Sequence, residues 1–181
     1  EPRARVVGTG RACRAVVAAR LQAPGSEWAA FRALQFAWFT TTLLLDEDDG
    51  IARALAGVPG IDVDAVIASI DLPEVEEAYQ RDRAEARTAI GSPTEFQGKS
   101  ATTDGPVRFT APSIVFEHAG RKLVAGGWQT IEAYDVLVAN LIPGGERRAV
   151  PDDPLALLER FPGGLTTQEV AQLLTHGNDA P

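Results

Sequence analysis

The chain has few of the residues that build disulfides, metal sites and membrane spans. Its 181 residues include one cysteine, two histidines and no methionine. Because Cys13 is the only cysteine, neither a disulfide nor a cysteine-based zinc site can form within the chain. No apolar run approaches the ~18 uncharged residues of a membrane span, and the first residues lack a signal-peptide pattern. We therefore expect a cytoplasmic protein with no bound metal and no membrane partner.

Charge and composition narrow the class further. The chain holds 17 basic and 25 acidic residues, for a net charge of −8, with 45% hydrophobic and 23% charged residues. These fractions are typical of soluble globular proteins. An acidic excess opposes binding to a phosphate backbone, so we expect no nucleic-acid partner. A start at Glu1 with no methionine is the pattern of a fragment or a processed product.

The first half of the chain reads as helical. Residues 11–22 place Cys13, Val17 and Leu21 at four-residue spacing, which predicts one buried stripe. Residues 27–45 are apolar nearly all round, which predicts a helix buried at the centre of a helical cluster. We expect three further helices. The first begins in the acidic run 46–49, the second covers residues 62–70, and the third covers residues 73–90.

The pattern changes after Gly91. Residues 91–111 contain prolines and glycines and no periodic pattern of apolar residues, which predicts a loop. Residues 113–117 and 121–125 predict an antiparallel hairpin, followed by a helix that closes before residue 143. Two small helices are expected at 152–160 and 166–174, the second with a capping box formed by Thr166 and Glu169. A short strand is expected at residues 3–7.

Catalytic motifs are scarce. The sequence contains no phosphate-binding glycine loop, nucleophile elbow or histidine-rich metal spacing. His118 and His176 lack nearby partners in sequence, so we expect neither to act as a ligand or a base. Cys13, on its predicted buried stripe, is expected to be structural and to resist thiol reagents. The catalytic residues therefore stay unassigned.

The order of the segments resembles a known family. A helical block and a loop precede Thr110-Ala111-Pro112-Ser113-Ile114-Val115-Phe116, a hairpin with glycine at its tip, Leu123-Val124-Ala125-Gly126-Gly127-Trp128, and the closing helix that starts Ile131-Glu132-Ala133-Tyr134. This order is similar to the second half of DsbA-like proteins of the thioredoxin superfamily. Residues 10–22 and the aromatic-rich helix that follows resemble the helical insertion of the FrnE-like branch. The similarity covers residues 9–142.

The resemblance implies an α/β protein. Its thioredoxin-like domain, incomplete at the N-terminus, would comprise residues 1–9 and 105–142. A large all-helical insertion domain and loop would occupy residues 10–104, and a small helical C-terminal extension residues 143–181. In this family, the hairpin belongs to a mixed sheet over which the helices fold.

The resemblance also implies a binding surface. In the family, the proline that matches Pro112 is cis and faces the active dithiol, and the residue that matches Ala111 offers backbone hydrogen bonds to a substrate strand. Thr110, Ala111 and Pro112 are therefore the expected substrate-binding residues. An ordinary turn into a core strand is the plainer interpretation of the same residues.

Three functions are compatible with this resemblance. The first is a thiol-disulfide oxidoreductase of the DsbA family, which would not be redox-active as this chain because the family's Cys-x-x-Cys motif is absent. Its partner would be a peptide or a small thiol compound. The second is a glutathione-dependent isomerase of the 2-hydroxychromene-2-carboxylate type, with glutathione or another low-molecular-weight thiol as cofactor. The third is a non-catalytic binding module whose exposed sheet edge favours association with another chain or a homodimer.

Overall fold

The chain forms two compact units. A computed structural model describes residues 8–103, 105–146, 151 and 153–174. The first unit extends through Glu85 and the second begins at Ala86. The first is helical, whereas the second combines helices with small sheets, in agreement with the expected α/β class at this coarse level. The strand expected at residues 3–7 lies outside the described residues.

Five helices form the described part of the first unit. In chain order, they are α1 (Gly10–Gln22), α2 (Glu27–Thr40), α3 (Asp48–Leu55), α4 (Val63–Ser69) and α5 (Pro73–Glu85). Helix α1 packs against α2, α4 and α5, and α3 packs against α2 and α4. The helical first half predicted from the sequence is thus confirmed, although α5 ends five residues before the predicted limit.

Small side chains on α1 let the neighbouring helices approach closely. Ala15, Ala18 and Ala19 are almost completely buried on this helix. Around them lie larger side chains that are also buried, contributed by the other helices, the segment before α3 and the residue after α4: Leu34, Leu45, Ile51, Leu55, Val66, Ile70 and Val75. A fully buried leucine or isoleucine stabilises a fold by about 1.5–3 kcal/mol, so this cluster holds the first unit together.

The prediction that Cys13 and Leu21 are buried is wrong. Cys13 is exposed, and Leu21 is 46% exposed, whereas Val17 between them is buried. A four-residue step exceeds the helical repeat of 3.6 residues, so each step turns the next side chain about 40° around the axis. Cys13 and Leu21 therefore lie on opposite sides of the face that Val17 shares with the alanines.

The prediction for residues 27–45 is also wrong in two respects. Helix α2 ends at Thr40, and only Ala30, Leu34 and Ala37 are buried on it. Trp28 is 70% exposed and Phe39 is 76% exposed. Within the first unit, the packed helices cover only one face of α2, so Trp28, Phe31 and Phe39 stay exposed while Trp38 packs against the core.

Arginines of α1 join this helix to its neighbours through ion pairs. Arg11 Nε lies 2.6 Å from Asp48 Oδ1, and its Nη1 lies 3.0 Å from Asp71 Oδ2, the residue before Leu72 and α5. Two further pairs, Arg14–Glu76 at 2.6 Å and Arg20–Asp82 at 2.9 Å, connect α1 directly to α5. Such solvent-screened pairs contribute little to stability, so they orient α1 more than they stabilise it.

The second unit contains shorter elements. Its described helices and strands are α6 (Pro93–Phe96), β1 (Ser100–Ala101), β2 (Arg108–Phe109), β3 (Ile114–His118), β4 (Arg121–Ala125), α7 (Ile131–Leu141), α8 (Pro154–Arg160) and α9 (Thr167–Leu174). Among the described residues of the chain, no helix combines the length and apolar character needed to cross a membrane.

Residues 91–111 are more ordered than the predicted loop. They include α6 and the antiparallel ribbon of β1 and β2, in which Ser100 pairs with Phe109. The predicted mixed sheet is wrong for the described residues, because these form two separate two-stranded sheets, β1–β2 and β3–β4, both antiparallel. Proline and glycine content predicts turns but does not show which short segments pair across them.

The hairpin and the helix after it form as predicted. Strands β3 and β4 pair from Ile114↔Ala125 to His118↔Arg121, and the intervening turn is Ala119-Gly120. Helix α7 packs on both strands, with the rings of Phe116 and Tyr134 6.2 Å apart. The predicted capping box of α9 is confirmed, because Thr166 N–H donates to Glu169 Oε2 and Glu169 N–H donates to Thr166 Oγ1.

We expect the substitution Gly50→Ala to destabilise the first unit. A Cβ atom at Gly50 would lie 2.0 Å from the backbone oxygen of Leu44, which cannot move as a flexible side chain can. Such overpacking lowers the free energy of unfolding by about 1–3 kcal/mol. Urea unfolding followed by far-ultraviolet circular dichroism measures the change. Gly57→Ala is the matched control, because nothing lies within 4 Å of a Cβ there; equal stability of the two variants would contradict the packing argument.

We expect Ala119→Asn to stabilise the hairpin. Ala119 has a φ of 48° and Gly120 a φ of 74°, the left-handed pair that two-residue hairpin turns require. Asparagine adopts this conformation more readily than alanine, so the gain should be about 0.5–1 kcal/mol. Amide hydrogen exchange of β3 and β4 should slow in this variant. Ala119→Val should accelerate exchange, since a β-branched residue resists positive φ.

Candidate functional site

Thr110 is fixed to the β1–β2 ribbon at the base of the predicted binding segment. Its N–H and its Oγ1 both donate to the backbone oxygen of Lys99, over 3.2 and 2.8 Å. The N–H of Lys99 in turn donates to the backbone oxygen of Thr94 over 2.9 Å. The segment 110–112 therefore starts from a position that the ribbon and α6 define.

Ser113 fixes the other end of the segment. Its hydroxyl donates to the backbone oxygen of Thr110 and accepts the N–H of Gly127 over 3.1 Å. One side chain thus connects the start of β3 with the loop after β4. Ser113 is not among the site residues predicted from the sequence, where its only signal is a hydroxyl residue directly after the proline.

Close packing supports these hydrogen bonds. Thr94 is 2% exposed, and a Cβ atom at Gly126 would lie 2.4 Å from its Cγ2 atom. Only glycine at position 126 therefore allows the loop after β4 to lie against α6. This contact keeps Gly127 within reach of Ser113.

Between these anchors, the two central residues face solvent. Ala111 and Pro112 are exposed, and the peptide bond between them is cis, the conformation that the resemblance implies. Among the residues that the structure describes, the N–H and C=O groups of Ala111 have no hydrogen-bond partner. The segment thus holds an unpaired donor and acceptor in a fixed place.

Strand β3 presents an open edge next to this segment. Within the described part of the chain, β3 pairs with β4 alone. The residues that flank a two-residue hairpin loop form a hydrogen-bonded pair, and such pairs alternate along the ladder with pairs that point their backbone groups outward. The observed register therefore turns the N–H and C=O groups of Val115 and Glu117 toward the open edge.

Apolar side chains are exposed on β3 and directly after the hairpin. Ile114 is 41% exposed and Val115 50% exposed on β3. Trp128 and Ile131, which follow the hairpin in sequence, are 58% and 47% exposed. An exposed apolar strand with free backbone groups can bind a further strand.

Cys13 lies in the first unit and is a poor candidate for thiol chemistry. Its side chain reaches solvent, yet the protein atoms around the sulfur withdraw enough water to raise the pKa of the thiol above its ordinary value. A hydrogen bond with Thr9 and the charge of Arg14 oppose this shift without cancelling it. The thiolate needed for nucleophilic attack is therefore disfavoured.

Possible metal ligands and the two histidines are the remaining candidates for a site. Within the described ranges, no three side chains of histidine, cysteine, aspartate or glutamate lie close enough to hold a metal. His118 is exposed beside the hairpin turn, and His176 lies outside the described residues. An open cavity of about 750 Å³ lies beside the C-terminal end of α7, between Asp135 and Glu146, and Thr110, Ala111 and Pro112 do not line it.

No protein-family model matches this chain, and comparison with curated proteins gives no significant match.

We expect Cys13 to react with thiol reagents completely but slowly at neutral pH. Exposure makes the sulfur accessible, which replaces the sequence-based expectation that it resists labelling. The raised pKa leaves a smaller thiolate fraction than an ordinary cysteine has, and the rate should rise about tenfold per pH unit until the pKa is passed. Stopped-flow labelling with a chromogenic disulfide reagent between neutral and alkaline pH measures this profile. A rate at neutral pH above that of a free cysteine peptide would contradict the raised pKa.

Proposed function

We propose that this chain is the substrate-binding part of a DsbA-like protein of the thioredoxin superfamily, and that it binds an extended polypeptide without exchanging disulfides itself. The order of its elements supports the proposal: a helical unit is followed by the segment 110–112, a hairpin and a packed helix. A thioredoxin-like assignment of the second unit belongs to the same proposal. The two described sheets are smaller than the sheet of that family.

One observation carries the binding role. Ala111 offers an unpaired N–H and C=O on a segment that hydrogen bonds fix at both ends, three residues before the open edge of β3. A strand added at this edge would gain main-chain hydrogen bonds without first ordering the site. Preorganisation of this kind reduces the entropy lost on binding.

The thiol content supports the absence of exchange by this chain. Reduction of a substrate disulfide by a dithiol needs an attacking thiolate and a second thiol that resolves the mixed disulfide. Cys13 is the only cysteine, and the raised pKa of its thiol opposes attack. These properties favour binding, rather than dithiol exchange, as the activity of this chain.

Fluorescence anisotropy with labelled, reduced and carboxymethylated insulin B chain tests the proposed binding. This probe is an extended peptide without free thiols, so binding reports on main-chain recognition alone. We expect saturable binding that Ser113→Ala weakens by about fivefold to tenfold, because the hydroxyl no longer fixes Thr110 and Gly127.

Ser26→Ala is the matched control, because it removes a hydroxyl that donates to the backbone oxygen of Ala19 in the first unit. Absence of saturable binding by the unmodified chain, or equal weakening by both variants, would overturn the binding role. Insulin reduction above background by Cys13→Ser would overturn the absence of exchange. Saturable heat with millimolar glutathione in calorimetry, without peptide binding, would favour the glutathione-dependent isomerase instead.

A further inference from the structure

We infer that the open edge of β3 is also a self-association surface, on which a second copy of this chain pairs its own β3 in antiparallel orientation about Val115. The inference uses the edge described above but does not require peptide binding. A two-stranded hairpin alone is marginal in water, and it is stabilised by packing against a helix, as on α7 here, or by the addition of further strands. Pairing of two copies would give the strand order β4–β3–β3–β4.

The register follows from the backbone groups that face outward. Antiparallel pairing forms hydrogen bonds only between outward-facing residues, which are Val115 and Glu117 on β3. Centring the two-fold axis on Glu117 would place two carboxylates directly opposite each other, which is destabilising. Centring it on Val115 places Val115 against the partner's Val115 and Ile114 against the partner's Phe116.

This register also suits the charges and the exposed surface. Glu117 then faces the partner's Ser113, and its ion pair with Lys122, at 2.9 Å, lies within its own hairpin and is kept. The half-exposed side chains of Ile114 and Val115 become covered by apolar neighbours. A two-fold axis perpendicular to the sheet leaves both copies of α7 on one face, so the second face of the sheet stays unobstructed by helices.

Proline substitution on either edge of the hairpin provides the first test. Val115→Pro removes the N–H that faces the open edge while leaving the bonds of Phe116 to β4 in place. Val124→Pro is the matched control, because Val124 is the cross-strand partner of Val115 and its N–H faces the opposite edge. Sedimentation velocity over a wide concentration range should show a monomer–dimer equilibrium for the unmodified chain and for Val124→Pro. Val115→Pro should raise the dissociation constant at least about tenfold, since two symmetry-related hydrogen bonds are lost.

Cysteine cross-linking provides the second test, and it is independent of how proline affects folding. In a Cys13→Ser background, Val115→Cys should form a disulfide-linked dimer under mild oxidation, because paired residues bring Cα atoms within bonding range. Glu117→Cys should not, because the two positions would be four residues apart along the strands, about 13 Å.

A monomer at every concentration, equal association of both proline variants, or equal cross-linking at both cysteine positions would overturn the inference. Peptide binding is measured separately, by anisotropy of the insulin B chain at concentrations where this protein is monomeric. Failure of self-association and failure of peptide binding are therefore distinguishable.

Discussion

The hydroxyl of Ser113 donates to the backbone oxygen of Thr110 and accepts the N–H of Gly127, and the shape of the candidate site depends on this shared group. Through it, the backbone of Thr110 is connected to the loop after β4. The packing of Thr94 on Gly126 also supports the candidate site, since it positions the loop that carries Gly127. A buried threonine and a glycine thus determine the geometry of residues that face solvent.

Periodicity and turn residues predicted much of the local structure. The helical first half, the β3–β4 hairpin, helix α7 and the capping box of α9 all follow from patterns within a few residues. The burial of individual side chains did not follow, because it depends on which neighbours pack against each helix face. Cys13 and Phe39 illustrate this limit: both lie on apolar segments, and both are exposed.

The candidate site was predictable only in part. The family resemblance predicts Thr110, Ala111 and Pro112, and in the structure hydrogen bonds of Thr110 and Ser113 fix the two ends of this segment. The anchors themselves could not be derived, because Lys99 and Gly127 are distant in sequence and their bonds depend on tertiary contacts. The open edge of β3 was equally hidden, since strand pairing is a non-local property. A pattern that predicts a strand does not show how many neighbours the strand has.

The contact between Arg14 and Glu76 makes the stability of the first unit depend on pH. The guanidinium of Arg14 lies 2.6 Å from the Glu76 carboxylate, and this hydrogen bond, with a second from Gln80, lowers the pKa of Glu76 below its ordinary value. The Glu76 carboxyl therefore binds its proton less tightly in the folded chain than in the unfolded chain, so unfolding in acid is accompanied by proton uptake. The stabilisation is complete above the ordinary glutamate pKa and disappears as the pH falls through the lowered one. One of the ion pairs that attach helix α1 to α5 therefore weakens in acid.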